Sequence, residues 1–146
     1  MGQTIIEDIK TSNGLEYSII VYGKKPKEKN LEAIGYLIAL EDETDEGDHC
    51  IYLEDIALLP EAQRQQIGWD LMKNLIFKLK AKAHRENKTV LLDMHLRETS
   101  QRFFERYHNE LEQMGVRLLE EALVPDYYDE NEDALYKVYE VRVDED

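Results

Sequence analysis

The sequence predicts an α/β domain of the mixed-sheet, α+β kind, opening with antiparallel strands and carrying two main helices, one packed on each side of the sheet. Three observations predict it. Asn13 and Gly14 stand between two strand-like runs, and Asn-Gly in that setting is the strongest short hairpin signal a sequence offers. At Ile67 the apolar spacing changes to a helical period. A short apolar run from Thr89 to Leu96 then follows the first helix and precedes a second helical pattern, so a central parallel strand buried on both faces is expected there.

In chain order, Thr4 to Lys10 and Leu15 to Tyr22 flank the Ser12, Asn13, Gly14 turn, and a lysine-rich loop from Gly23 to Asn30 contains Pro26. Ile34 to Leu40 resumes a strand, and the acidic stretch Glu41 to Asp48 leads into Cys50 to Leu59, which completes a four-stranded meander. Pro60 closes that strand because it cannot donate to a ladder hydrogen bond. Gly68, Met72, Leu75, Leu79 and Ala83 line one helical face, with Leu71 and Ile76 beside them, so a helix is expected from about Ile67 to Glu86 with Asn87 as its stop. Its later turns carry Lys78, Lys80, Lys82 and Arg85, which suits the negative end of the helix dipole. Phe103, Phe104, Tyr107, Leu111 and Met114 mark a second amphipathic helix, with Thr99 or Ser100 as cap and Gly115 as terminator. Val116 to Val124 and Leu135 to Val143 are the last strands, separated by Pro125 and an acidic loop.

At 146 residues and 42% apolar content the chain is read as one domain, residues 1–30 forming an N-terminal hairpin and loop and 31–143 the core. No apolar run approaches the roughly 20 residues that span a bilayer, and Met1 to Ile6 lacks a basic start, so a soluble, unexported, cytoplasmic protein without a membrane partner is expected. Cys50 is the sole cysteine; it excludes an intrachain disulfide and reads as a half-buried strand residue rather than a nucleophile. With 32 acidic against 18 basic residues the net charge is −14, which repels nucleic acid and attracts cations. Glu41 to Asp48 and Asp126 to Asp133 concentrate that charge and serve as solvated loops, as a rim for a cationic substrate or as an imitation of DNA.

The common glycine-rich nucleotide motifs and the H-E-x-x-H metal motif are absent, and His49, His84, His95 and His108 fall at spacings that suit no metal site. What remains is the junction from Leu53 to Met72, where a strand ends and a helix begins within about ten residues. The first amides of a helix lack internal partners and point outward at its positive end, which makes such a junction an anion site suited to a diphosphate. Gln63, Arg64, Gln65 and Gln66 add side-chain donors, and Gly68 allows close approach.

At these residues the sequence resembles the GNAT superfamily of acetyl-CoA-dependent N-acetyltransferases, from about Ile34 onward. In that family an Arg/Gln-x-x-Gly-x-Gly/Ala loop binds the CoA pyrophosphate; here Gln63 fills the first position, Gln66 replaces the first glycine, and Ile67 and Gly68 complete the loop. The resemblance implies that the segment Leu53 to Leu58, including Ile56, Ala57 and Leu58, pairs with pantetheine, and that Thr89 to Leu96 splays from it. The family's Asn-x-x-Phe-Tyr, whose tyrosine protonates the departing thiolate, reads Ser100, Gln101, Arg102, Phe103, Phe104 here. The missing hydroxyl leaves Tyr107, one turn on, as the nearest substitute or as an ordinary core residue. Glu54 and Asp55 are the candidate general bases, by similarity to members that carry Glu-Asp in this strand. Adjacent strand residues face opposite ways, so only one can face the acceptor unless a bulge intervenes.

The expected activity is acetyl transfer from acetyl-CoA to a primary amine of a cationic small molecule or protein, with no metal. A monomer and a homodimer are equally compatible with the sequence. A relative that has lost catalysis and binds through its acidic surfaces, and a DNA mimic, are the competing readings.

Overall fold

The computed structural model describes residues 3–9, 16–24, 30, 32–43, 49–60, 63 and 66–142. Seven strands form one sheet: β1 (Gln3–Ile9), β2 (Glu16–Lys24), β3 (Glu32–Glu43), β4 (His49–Leu58), β5 (Val90–Leu96), β6 (Val116–Asp129) and β7 (Glu132–Val141), in the order β1-β2-β3-β4-β5-β7-β6. β1 and β2 pair antiparallel from Gln3 opposite Lys24 to Ile9 opposite Ser18; the turn expected at Asn13 and Gly14 lies outside the described residues, as does the acidic segment 44–48. Among the described residues β4 and β5 are the one parallel neighbouring pair, and their ladder covers only Cys50 to Leu53 against Leu91 to Met94.

Helix α1 (Ile67–Glu86) connects β4 to β5 and ends on Asn87. Asn87 sits in the left-handed region (φ 52°), and its N–H reaches the carbonyls of Ala83 and His84, the termination a residue tolerant of positive φ provides. The second helical pattern resolves into two pieces rather than one, α2 (Glu98–Arg106) and α3 (His108–Gln113), which meet at Tyr107. Arg97, not Thr99 or Ser100, holds the N-cap position. Gly115 follows α3 at φ 80°, where a side chain would be strained. The acidic stretch expected as a loop after Pro125 is mostly strand: β6 runs on to Asp129, and β7 begins three residues later.

Both helical segments pack on the same face of the sheet, against the expectation of one on each side. Ile51, Leu53, Leu92, Met94 and Tyr139 form one core with Leu71, Met72, Leu75 and Leu79 of α1, Phe104 of α2 and Leu111 of α3. The reason is chirality. β6 is antiparallel to β7, which is antiparallel to β5, so β6 runs parallel to β5. The β4–α1–β5 and β5–α2–α3–β6 crossovers therefore travel in the same direction along the sheet, and two right-handed crossovers in one direction place their helices on one face. β5 alternates buried and half-buried residues, so it is covered fully on one face and only partly on the other, where both-sided burial was expected. Lys82 of α1 is 6% exposed and is held by Glu41 of β3 at 2.9 Å and Glu86 at 3.0 Å, a specific ion pair beyond the dipole complement its position suggested.

Candidate active site

Beyond the Leu53–Met94 pair the parallel strands separate: β4 continues to Leu58 and β5 to Leu96 with no further pairing between them. Beside this gap, on the helix-covered face, lies a cavity of about 790 Å³ lined by Ile56, Ala57, Leu58, Gln63, Gln66, Ile67, Gly68, Trp69, Ser100, Phe103, Phe104, Arg106, Tyr107 and Glu110. That volume is within the range of small-molecule sites. The start of α1 forms one wall. No side chain caps this helix, so its first amides are not claimed by a capping oxygen. Gln63 braces the approach to α1 by donating from Nε2 to the Leu58 carbonyl at 3.2 Å.

β4 carries a β-bulge where it matters. Leu53 lies opposite Ala39 and Asp55 opposite Ile38, which leaves Glu54 as the extra residue. The bulge resets the alternation, so Asp55 shares the helix-free face with Tyr52, while Leu53 and Ile56 turn to the core. Asp55 accepts a 2.6 Å hydrogen bond from the Tyr36 hydroxyl, which raises the Tyr36 phenol above its ordinary value. Glu54 is exposed.

The model of the Acetyltransferase (GNAT) family matches residues 8–109. The chain belongs to the GNAT family. No curated protein matches it. Solved structures share its fold at low identity: Arabidopsis thaliana NAA60 in complex with acetyl-CoA has a TM-score of 0.68 at 11% identity over 95% of this chain and 99% of that one. The ribosomal-protein-S18-alanine N-acetyltransferase from Escherichia coli gives 0.62 at 16% identity, covering 99% and 97%. A GNAT family acetyltransferase from Elizabethkingia anophelis with acetyl-CoA bound gives 0.57 at 15%, covering 98% and 100%.

Against the GNAT pattern, Gln66 is instructive. It adopts φ 62°, ψ 10° at the N-cap of α1, the left-handed conformation that glycine enters freely and other residues at roughly 1–2 kcal/mol. A glycine at position 66 would adopt this conformation without that strain. Gly68 lines the cavity, and a Cβ there would meet the Phe103 ring at 3.3 Å and the Leu58 side chain at 3.6 Å, so the missing side chain lets α1 pack on α2 and β4 at the cavity wall. Phe104 is 2% exposed and packs toward Tyr139; it lines the cavity with no proton to give. Tyr107 lines the same cavity with its ring stacked 4.6 Å from Trp69 at an interplanar angle of 2°, so it is a packing residue and a hydroxyl-bearing cavity residue at once. Ser100 lines the cavity. Arg64 and Gln65 lie outside the described residues.

Sequence reading missed a second constellation, on the helix-free face beside the gap. Tyr52 of β4 and His95 of β5 are joined by a 2.8 Å contact between the hydroxyl and Nδ1. Tyr136 of β7 donates its hydroxyl to Asp93 Oδ2 at 3.0 Å. Tyr127 stacks on the His95 ring at 4.2 Å, and Tyr128 donates to the His95 carbonyl at 2.9 Å. Burial raises the Tyr52 phenol far above its ordinary value, helped by Tyr127, and burial with Asp93 pushes Tyr136 up to about 12. Burial lowers His95, with Asp93 opposing. Strand alternation is the signal that puts Asp93 with His95 on one face; the register of β5 to β4 and β7 was not readable. Among the described residues no group of metal-ligating side chains is assembled, and no helix is long and apolar enough to cross a membrane.

Proposed function

We propose that this chain is an acetyl-CoA-dependent N-acetyltransferase acting on the primary amine of a cationic acceptor. The observation that carries the reading is the parting of β4 and β5 directly beside the cavity at the start of α1. Diphosphate oxygens fit the uncapped α1 amides, and an extended amide-bearing chain fits the β4 edge from Ile56 to Leu58, whose side facing β5 has no strand partner. Apolar Phe103 and Phe104 close the cavity floor. Bound there, acetyl-CoA supplies an activated acyl group as a thioester.

The protein's own part is positioning and proton transfer. An ammonium with a lysine-like pKa near 10.4 must lose a proton before its nitrogen can attack. Asp55 and Glu54 stand at the bulge bordering the gap; Asp55, on the helix-free face, is the better placed to accept that proton. Tyr107, which shares the cavity with the Ser100 hydroxyl, returns one to the departing sulfur. The acidic surface, at a net charge of −14, draws cationic acceptors to the site. The membership of the family and the acetyl-CoA complexes among its structural neighbours support the same reading.

Titration with acetyl-CoA followed by thermal unfolding tests this directly. A ligand bound only by the folded state raises the midpoint in a saturable way, and release of free thiol in the presence of an amine panel reports transfer. No shift at millimolar acetyl-CoA overturns the reading. A shift with no thiol release from any amine instead favours a catalytically silent binding module, the reading that a phenylalanine at position 104 supports.

A further inference from the structure

Three groups of residues line the cavity: Ile56 to Leu58 at the parted strands, Gln66 to Trp69 at the start of α1, and Arg106 with Glu110 where α2 gives way to α3. The first two fit an extended amide-bearing chain and a diphosphate. The third adds a guanidinium. Arg106 is the one positively charged side chain of the cavity wall among the described residues, and no carboxylate of the described residues holds it. In a chain with 32 acidic against 18 basic residues counter-ions are plentiful, and Lys73, Lys82, Arg97 and Arg142 each have one. A place in the last turn of α2 suits the helix dipole, but the dipole does not require that the side chain line a cavity unpaired.

A guanidinium with free N–H donors is a phosphate-binding group, because its planar fork matches two phosphate oxygens. CoA carries one phosphate beyond its diphosphate, the 3′-phosphate of its ribose, a monoester with about two negative charges at neutral pH. Resting on the acetyl-CoA reading of the cavity, we propose that Arg106 binds this 3′-phosphate and makes the protein selective for CoA over cofactors that lack it. The last turn of α2 lies against the start of α1, since the Tyr107 ring stacks on Trp69 at 4.6 Å. Successive helix side chains diverge by about 100°, so Tyr107 turns inward to Trp69 while Arg106, which is exposed, turns to the mouth. The thioester end of the cofactor must be enclosed to react, whereas the nucleotide end need not be. A residue at the mouth, beyond the α1 start, therefore meets the nucleotide end. The net charge of −14 makes a local cation the more necessary, because the protein as a whole repels an anionic cofactor.

Dephospho-CoA, which keeps the diphosphate and loses only the 3′-phosphate, is the discriminating probe. In calorimetric titrations of the whole protein at low salt, CoA is expected to bind about tenfold more tightly than dephospho-CoA. Arg106→Gln should erase that difference by weakening CoA alone. Equal affinity of the wild type for the two ligands overturns the assignment and leaves the acetyl-CoA reading standing, and this comparison needs no variant. Equal weakening of both ligands by Arg106→Gln moves the guanidinium to the diphosphate and overturns the assignment too, as does a preference for CoA that survives the substitution. Binding of neither ligand by the wild type overturns the assignment and the reading together. A preference for CoA that Arg106→Gln abolishes, with no thiol released to any amine from acetyl-CoA, retains the subsite and sinks the enzyme.

Discussion

On the helix-covered face, apolar side chains from five strands and three helices merge into one core, and the cavity beside α1 is a gap left in that packing. On the helix-free face the same strands present tyrosines, a histidine and an aspartate tied together by hydrogen bonds and ring contacts. The first face is held by area removed from water, the second by a few directed contacts whose partners must all be present. Apolar packing and directed polar contacts are thus drawn from opposite sides of one sheet.

The difference can be broken or sharpened by substitution. Phe104→Ala removes a fully enclosed ring from the first face and is expected to lower stability by about 3–5 kcal/mol, read from the midpoint of urea unfolding. Tyr136→Phe removes only a hydroxyl from the second face, yet it strips Asp93 of its donor, and about 1–3 kcal/mol should be lost. If the two losses are equal, the division between a packing face and a polar face is wrong. Gln66→Gly acts at the cavity rim: release of the left-handed backbone should stabilise the fold by about 1 kcal/mol and tighten acetyl-CoA binding, both visible in one thermal titration. No gain would mean that φ 62° is unstrained here.

The smallest effect is on pH dependence. His95 is surrounded by Tyr52 from β4, Asp93 on its own strand, Tyr136 from β7, and Tyr127 and Tyr128 from β6. Burial holds it below its ordinary value near 6.5, so the unfolded chain binds the proton more readily. Its contribution to stability is complete above about pH 6.5 and is lost as pH falls through the lowered value. Thermal melts from pH 7.5 to 5 should therefore show a steeper decline for the wild type than for His95→Gln; parallel curves would contradict a buried neutral imidazole.

The helix-covered side was the legible one. The 3.6-residue spacing of Met72, Leu75 and Leu79 and the strand-to-helix junction at Gln63 to Gly68 are local signals, and the structure places most of that junction around one cavity. The split of the second helix at Tyr107 left no mark in the apolar period, and the common face of both helices follows from β6 passing outside β7, a choice no local pattern records. The Tyr52, Asp93, His95, Tyr136 group escaped for the same reason: four residues from three strands meet only once register is fixed. Glu54 and Asp55 were visible as a pair, but the bulge that reorients them was not.

The brief pairing of β4 with β5 has a mechanical consequence. Four residue pairs join an antiparallel block of β1 to β4 to a second block of β5, β7 and β6, so the sheet has a built-in line of weakness across its middle, bridged chiefly by α1. A molecule lying in the open part of that line touches both blocks and acts as a rivet. Amide exchange along Ile56 to Leu58 and Met94 to Leu96 should slow most when the gap is filled, with the outer strands barely affected.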